Sequence, residues 1–186
     1  MKLRALITAI ILGTIGQANA ASVDVALSED NAKFSFSSYI SGFSDGRATM
    51  NGGYFYNTDN NYIVDFGLHM VDVVGSKTPG LQVGVGMQGY YSDIGNHEGL
   101  AISLGGLISY RAPKLKRVNF VLHGHYAPGI TSYMDTERFR EYGFAIEYSL
   151  LPQADIYIGY RDIEIREDRH KFSIDDSGHI GLRISF

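Results

Sequence analysis

Ser177-Gly178-His179-Ile180-Gly181-Leu182-Arg183-Ile184-Ser185-Phe186 is the stretch that decides the fold. Ile180, Leu182, Ile184 and Phe186 share one face of a strand, and His179, Gly181, Arg183 and Ser185 share the other. This is the period-two pattern of a strand with one apolar side. The same alternation runs back through the chain almost without a break, and helical periodicity is hard to find.

Ten strands follow from it. Two short ones surround a Glu29-Asp30-Asn31 turn, with Val23, Val25 and Leu27 alternating in the first and Phe34 and Phe36 in the second. The clearer ones cover about 46–57, 61–73, 80–92, 99–111, 117–127, 139–150 and 154–166, and the terminal stretch is the tenth. In the strand over 139–150, Tyr142, Phe144, Ile146, Tyr148 and Leu150 oppose Glu141, Gly143, Ala145, Glu147 and Ser149. In the strand over 154–166 the phase slips near Ile163 and Ile165, which predicts a bulge or a strand end beyond a bilayer. Connections after the fourth, sixth and eighth strands read as compact. Those after the fifth, seventh and ninth (92–98, 128–138 and 167–176) read as longer, charged loops. Short turns on one side and long loops on the other are the pattern of a transmembrane barrel.

The first twenty residues point to export. Lys2 and Arg4 precede an apolar run over 5–15, and Ala18-Asn19-Ala20 is a small-x-small cleavage site. Residues 1–20 therefore read as a secretory signal peptide, leaving 21–186 as the mature domain. The formal charge is −4, and removing two basic residues and no acidic one leaves −6, which argues against a nucleic-acid partner. With no cysteine, there are no disulfides, thiolate metal sites or cysteine nucleophiles. The mature chain has no apolar run long enough for a helical span, so a membrane location requires a closed barrel. The expectation is an all-β, antiparallel up-and-down transmembrane barrel of ten strands, or eight with the first hairpin outside the wall. Its location is the bacterial outer membrane, among outer-membrane lipids and lipopolysaccharide.

Tyrosine placement agrees with a bilayer. Tyr54, Tyr56, Tyr62, Tyr91, Tyr126 and Tyr142 fall near one set of strand ends on the apolar face, and Tyr110 and Tyr148 near the other, with Phe186. Aromatic side chains gather in this way at both interfaces. On the opposite face Arg47, Arg111, Arg161 and Arg183 accompany Asp24, Asp65, Glu141, Glu147 and Asp155, with His69, His123 and His125. In a barrel this narrow they form either a packed polar plug or a thin channel for water, ions or small solutes. His123 and His125 could hold a metal at i and i+2. Spacing offers no third ligand, so hydrogen-bonded lumen histidines are expected and no cofactor is. Neither a His-x-Ser pattern nor an Asp-x-His pair at a strand end marks a catalytic site, and Asp175 to His179 reads as loop. Non-enzymatic porin-like or structural work is therefore expected, ahead of surface binding through the loops and of lipid A modification. Arg169 and Lys171, in a mixed-charge loop, read first as solvated loop charge and second as contacts for lipopolysaccharide phosphates.

The terminal strand is similar to the closing strand of outer-membrane barrels. His179, Gly181, Ile184 and Phe186 resemble the signal that the barrel-assembly machinery reads, which implies that machinery as a partner in biogenesis. The chain also resembles the YfaZ family of small Gram-negative outer-membrane proteins. That resemblance rests on the Gly-rich strand from Leu81 to Tyr91, Gly105-Gly106-Leu107, Tyr126-Ala127-Pro128-Gly129, Gly159-Tyr160-Arg161 and the stretch from Gly181 to Phe186. It implies an outer-membrane location and carries no catalytic residues.

Overall fold

The computed structural model describes residues 21–40, 47–74, 79–95, 97–167 and 170–186. The expected signal peptide and Arg169 lie outside them. The strands are β1 (Ala21–Leu27), β2 (Asn31–Ile40), β3 (Arg47–Asn57), β4 (Tyr62–Val73), β5 (Leu81–Ile94), β6 (His97–Arg111), β7 (Val118–Ala127), β8 (Ser132–Met134), β9 (Arg138–Leu151), β10 (Ala154–Glu167) and β11 (His170–Ser185). Each wall strand pairs antiparallel with its neighbours, and β1 meets β11 from Ser22↔Ser185 to Leu27↔Ile180. That contact, with β5 on β6, closes the wall at ten strands. The first hairpin is thus part of the wall, because β1 supplies the pairing surface that β11 needs. The eight-stranded alternative is excluded. The short β8 runs beside β6 where β7 has ended, after a single 3₁₀ turn at Gly129–Thr131.

The burial pattern is that of a protein dissolved in lipid. On β4, Val64, Phe66, Leu68 and Met70 are all at least 40% exposed, while Ile63, Asp65 and His69 between them are at most 7% exposed. A water-soluble sheet would reverse this. Exposed apolar side chains continue around the wall, with Phe34, Val85, Leu104, Leu122, Phe144, Ile158 and Ile180 among them. Only a closed barrel can present such a belt to hydrocarbon with its backbone groups satisfied.

Two expectations about the connections are corrected. Residues 92–98 and 167–176 are mostly strand: only positions 95–96 separate β5 from β6, and only 168–169 separate β10 from β11. Their charged residues read as loop in sequence, yet several pair across strands. Lys171 Nζ reaches Glu164 Oε2 at 2.8 Å, and Asp175 Oδ2 accepts from Arg161 Nε at 2.6 Å. Connection lengths therefore do not alternate as expected, and 128–137 is the one long connection on that side. What distinguishes the two ends is the belt. Next to the termini it reaches the strand ends, whereas at the far end β9, β10 and β11 continue past it with outward Arg140, Asp162, Glu164 and Arg166.

The phase slip near Ile163 has a different cause from a break in β10. Tyr157, Arg161, Ile163, Ile165 and Glu167 are all buried, so β10 alternates without interruption. The register shift between Ile163 and Glu164 lies on the partner strand, where Ile174 is the extra residue of β11 and is buried beside Asp175. The alternation seemed to slip because the lumen changes there from polar to apolar.

Candidate functional site: the filled lumen

The inward positions build three tiers. At the far end Phe55, Ile63, Tyr90, Ala101, Ala127, Phe139, Ile163, Ile165 and Ile174 form an apolar roof inside the barrel. Tyr90 and Phe139 stack with ring centroids 3.9 Å apart. The sequence reading missed this roof, although each of these residues on β3 to β10 lies in phase with the inward face.

Beneath the roof is a charged tier. Lys33 Nζ donates to Glu141 Oε1 at 3.1 Å and lies 3.6 Å from Asp65 Oδ2. Tyr90 Oη donates to the other Glu141 oxygen at 2.7 Å, and Gln88 Nε2 donates to Asp65 Oδ1 at 2.6 Å. Alongside, Arg161 Nε donates to Asp175 Oδ2 at 2.6 Å and its Nη2 to Asn31 Oδ1 at 3.0 Å. The Arg161 guanidinium lies 5.0 Å from the centre of the Phe55 ring, joining this tier to the roof. His69 and His125 face each other, Nε2 to Nε2, at 2.9 Å. With Asn51 Oδ1 2.9 Å from His69 Nδ1, that nitrogen donates to Asn51, so Nε2 of neutral His69 accepts from His125.

Toward the termini Arg183 bridges two acids, with Nε 3.1 Å from Asp24 Oδ2 and Nη1 2.6 Å from Glu147 Oε1. Tyr157 Oη donates to Asp24 at 2.7 Å, and Asn119 donates to Glu147 at 2.8 Å. Each carboxylate thus keeps partners that offset the cost of leaving water.

Glycines make the room for these side chains. A Cβ on Gly86 would lie 2.5 Å from the His69 ring, one on Gly105 2.4 Å from His125, one on Gly143 2.8 Å from His123 and one on Gly159 2.6 Å from His179. Tyr157 stands in the same way over Gly181, where a Cβ would approach its ring to 2.1 Å. Each lumen histidine lies across a glycine on a neighbouring strand.

The candidate residues fall into these tiers unevenly. Asp65, His69, His123, His125, Glu141 and Arg161 meet in the charged tier, and Glu147 and Arg183 in the lower one. Asp155 stands opposite Arg183 in register, but the guanidinium turns to Asp24 and Glu147. Arg111 is exposed at the mouth beside the termini. Arg47 begins β3, and its side chain lies outside the described residues. The reading of 175–179 as loop is corrected: these residues belong to β11, and Asp175 is a buried ion-pair partner. The sequence reading also missed Lys33, which the period-two phase of Phe34 and Phe36 places inward.

Of the assembly-signal residues, Ile184 and Phe186 point outward, Gly181 receives Tyr157, and His179 faces the Tyr157 ring edge-on at 5.8 Å. Tyr54, Tyr56, Tyr126, Tyr142 and Tyr148 are exposed on the belt face, and Tyr62, Tyr91 and Tyr110 are half-buried there. Tyr54, Tyr62 and Tyr91 lie side by side, with successive centroids 6.1 and 6.2 Å apart. Among the described residues no group of three or more His, Asp or Glu is placed to hold a metal ion.

A family model described as YfaZ precursor matches residues 1–186, the first hairpin included. The chain belongs to the YfaZ family. No curated protein matches it. Among solved structures, this YfaZ-family barrel is similar to the KdgM porin in complex with disordered oligogalacturonate, at 11% identity over 90% of this chain and 99% of that one, with a TM-score of 0.46. It is similar also to the NanC porin, at 12% identity over 89% and 97% with a TM-score of 0.44. Designed transmembrane β-barrels match at 16% identity over 91% and 98%, with a TM-score of 0.40. The lipid-facing belt on a closed wall makes the YfaZ-family chain an outer-membrane barrel.

Proposed function

We propose that this chain is exported by a signal peptide over residues 1–20 and works as a non-enzymatic outer-membrane barrel of porin-like architecture. Its lumen is a structural polar core, sealed at rest. The observation that carries this reading is the roof. Phe55, Phe139, Ile163 and Ile165 are each at most 2% exposed, and they cover the Lys33–Glu141–Asp65 cluster from the far end. Small barrels fill their interiors with side chains, and carboxylates held by a lysine, a tyrosine and arginines are engaged in packing. A thin passage for small polar solutes would require the roof side chains to move.

Planar-bilayer recording of the refolded protein tests this. The expected trace is quiet, from a sample shown to be folded by heat-modifiable gel mobility. Steady ohmic conductance from the unaltered barrel would overturn the sealed reading in favour of a channel. Lipid A of unchanged mass, with and without the protein, is the expected result for a non-enzymatic barrel.

A further inference from the structure

Past the belt, the outer wall carries a row of cations. Arg138 on β9 stands opposite Arg166 on β10, and Arg166 stands opposite Lys171 on β11. Phe139 and Ile165, the neighbours of the two arginines, are buried inward, so both arginines face outward. Like charges directly opposite on adjacent strands are destabilising. Lys171 is relieved by Glu164 at 2.8 Å, and Arg140 by Glu164 and Asp162 at 2.5 and 3.4 Å. Among the described residues no carboxylate pairs with Arg138 or Arg166 within 4.0 Å, and Arg166 Nε is buried without a hydrogen-bond partner.

The two arginines line an open pocket of about 510 Å³ together with Gly129, Ser132, Thr136 and Glu137. It lies directly above the tyrosine girdle: the Arg138 guanidinium is 5.8 Å from the centre of the Tyr126 ring, and Arg140 is 5.1 Å from that of Tyr142. The connection that forms one side of the pocket also carries Ile130, which is 86% exposed, the highest value among the exposed large apolar side chains.

We propose that Arg138 and Arg166 bind a phosphate group of an outer-leaflet glycolipid. Guanidinium groups match phosphate oxygens in fork geometry, and the phosphate removes the repulsion within the row. A lipid source fits better than a free anion. Arg138 lies on the outer wall next to the tyrosine girdle, and Ile130, on the connection that lines the pocket, offers an apolar surface to an acyl chain. Glu137 also lines the pocket, and its carboxylate disfavours a second anion. The proposal rests on the outer-membrane reading with the far end outward.

Native mass spectrometry of the refolded full barrel in detergent tests it, with bisphosphorylated lipid A, the same lipid A after phosphatase treatment, and inorganic phosphate as probes. The unaltered barrel is expected to retain bisphosphorylated lipid A about tenfold better than the dephosphorylated form, the size of a charge-assisted hydrogen-bond effect. Arg138→Gln/Arg166→Gln should lose that preference. Lys114→Gln/Lys116→Gln, exposed on the connection beside the termini, should keep it. Equal retention of both lipids, an undiminished preference in the arginine variant, or full displacement by millimolar inorganic phosphate would overturn the site. Heat-modifiable mobility of every sample reports the barrel separately, so loss of the fold and loss of the lipid site are told apart. Arg138→Gln alone, at an exposed position, supplies a folded variant expected to lose part of the preference.

Discussion

Gly143 shows what a missing side chain does in a narrow barrel. A Cβ there would sit 2.6 Å from the Tyr160 carbonyl oxygen and 2.8 Å from the His123 ring. Gly143→Ala should therefore cost about 1–3 kcal/mol, the range for overpacking, read as a lower stability in equilibrium refolding into lipid. Gly124 faces lipid with its nearest atoms 3.8 Å away, so Gly124→Ala should change stability by less than about 0.5 kcal/mol. Lys33 argues the charge side. Lys33→Met would leave Glu141 and Asp65 without their shared cation, and breaking a buried ion pair costs about 3–5 kcal/mol. The same refolding measurement should show that loss, with Lys33→Met/Glu141→Gln recovering part of it. Lys33 was legible in the sequence, because its phase opposes Phe34 and Phe36. Its partners were not, since they come from strands 32 and 108 residues away in the chain.

At the scale of one element, β9 separates its two solvents cleanly. Ile146 is 39% exposed on the belt, and Glu147 beside it is buried in the lumen. Ile146→Arg places a charge in hydrocarbon and should cost roughly 2–4 kcal/mol near the midplane, whereas Ala145→Ser on the lumen face should be mild. Equal losses in refolding would mean that the register is wrong. The β10–β11 hairpin teaches the opposite lesson about reading charge. Its polar residues imitate a loop in sequence, because in one dimension a cross-strand ion pair looks the same as solvated charge. Lys171 becomes a strand residue only when the register brings it beside Glu164. Surface pairs of this kind are weak, so Glu164→Gln should shift refolding stability by under about 1 kcal/mol, and less at high salt.

For the whole molecule, the roof decides whether the wall encloses a path. Phe139→Ala removes the ring stacked on Tyr90 and opens space at the top of the lumen. It should turn a quiet bilayer into one with small, irregular conductance, provided gel mobility shows the variant folded. Inward acids (Asp24, Asp65, Glu141, Glu147, Asp155, Glu167 and Asp175) outnumber Lys33, Arg111, Arg161 and Arg183 among the described positions. Any such current should favour cations, which a reversal potential in a potassium chloride gradient measures; anion preference would contradict the tier arrangement.

Alternation alone settled that the chain is a strand-built wall with a lipid side and a lumen side, and a period of two does so because adjacent side chains must meet different solvents. It also placed Tyr126 and Tyr142 on the lipid face near the far strand ends, and the inward carboxylates on β9. Closure of β1 on β11, the extra residue at Ile174, the pairing of Lys33 with Glu141 and the packing of Phe139 and Ile165 at the far end were decided only in three dimensions. Each depends on which distant strand lies across the lumen, and period-two order within one strand carries no information about that.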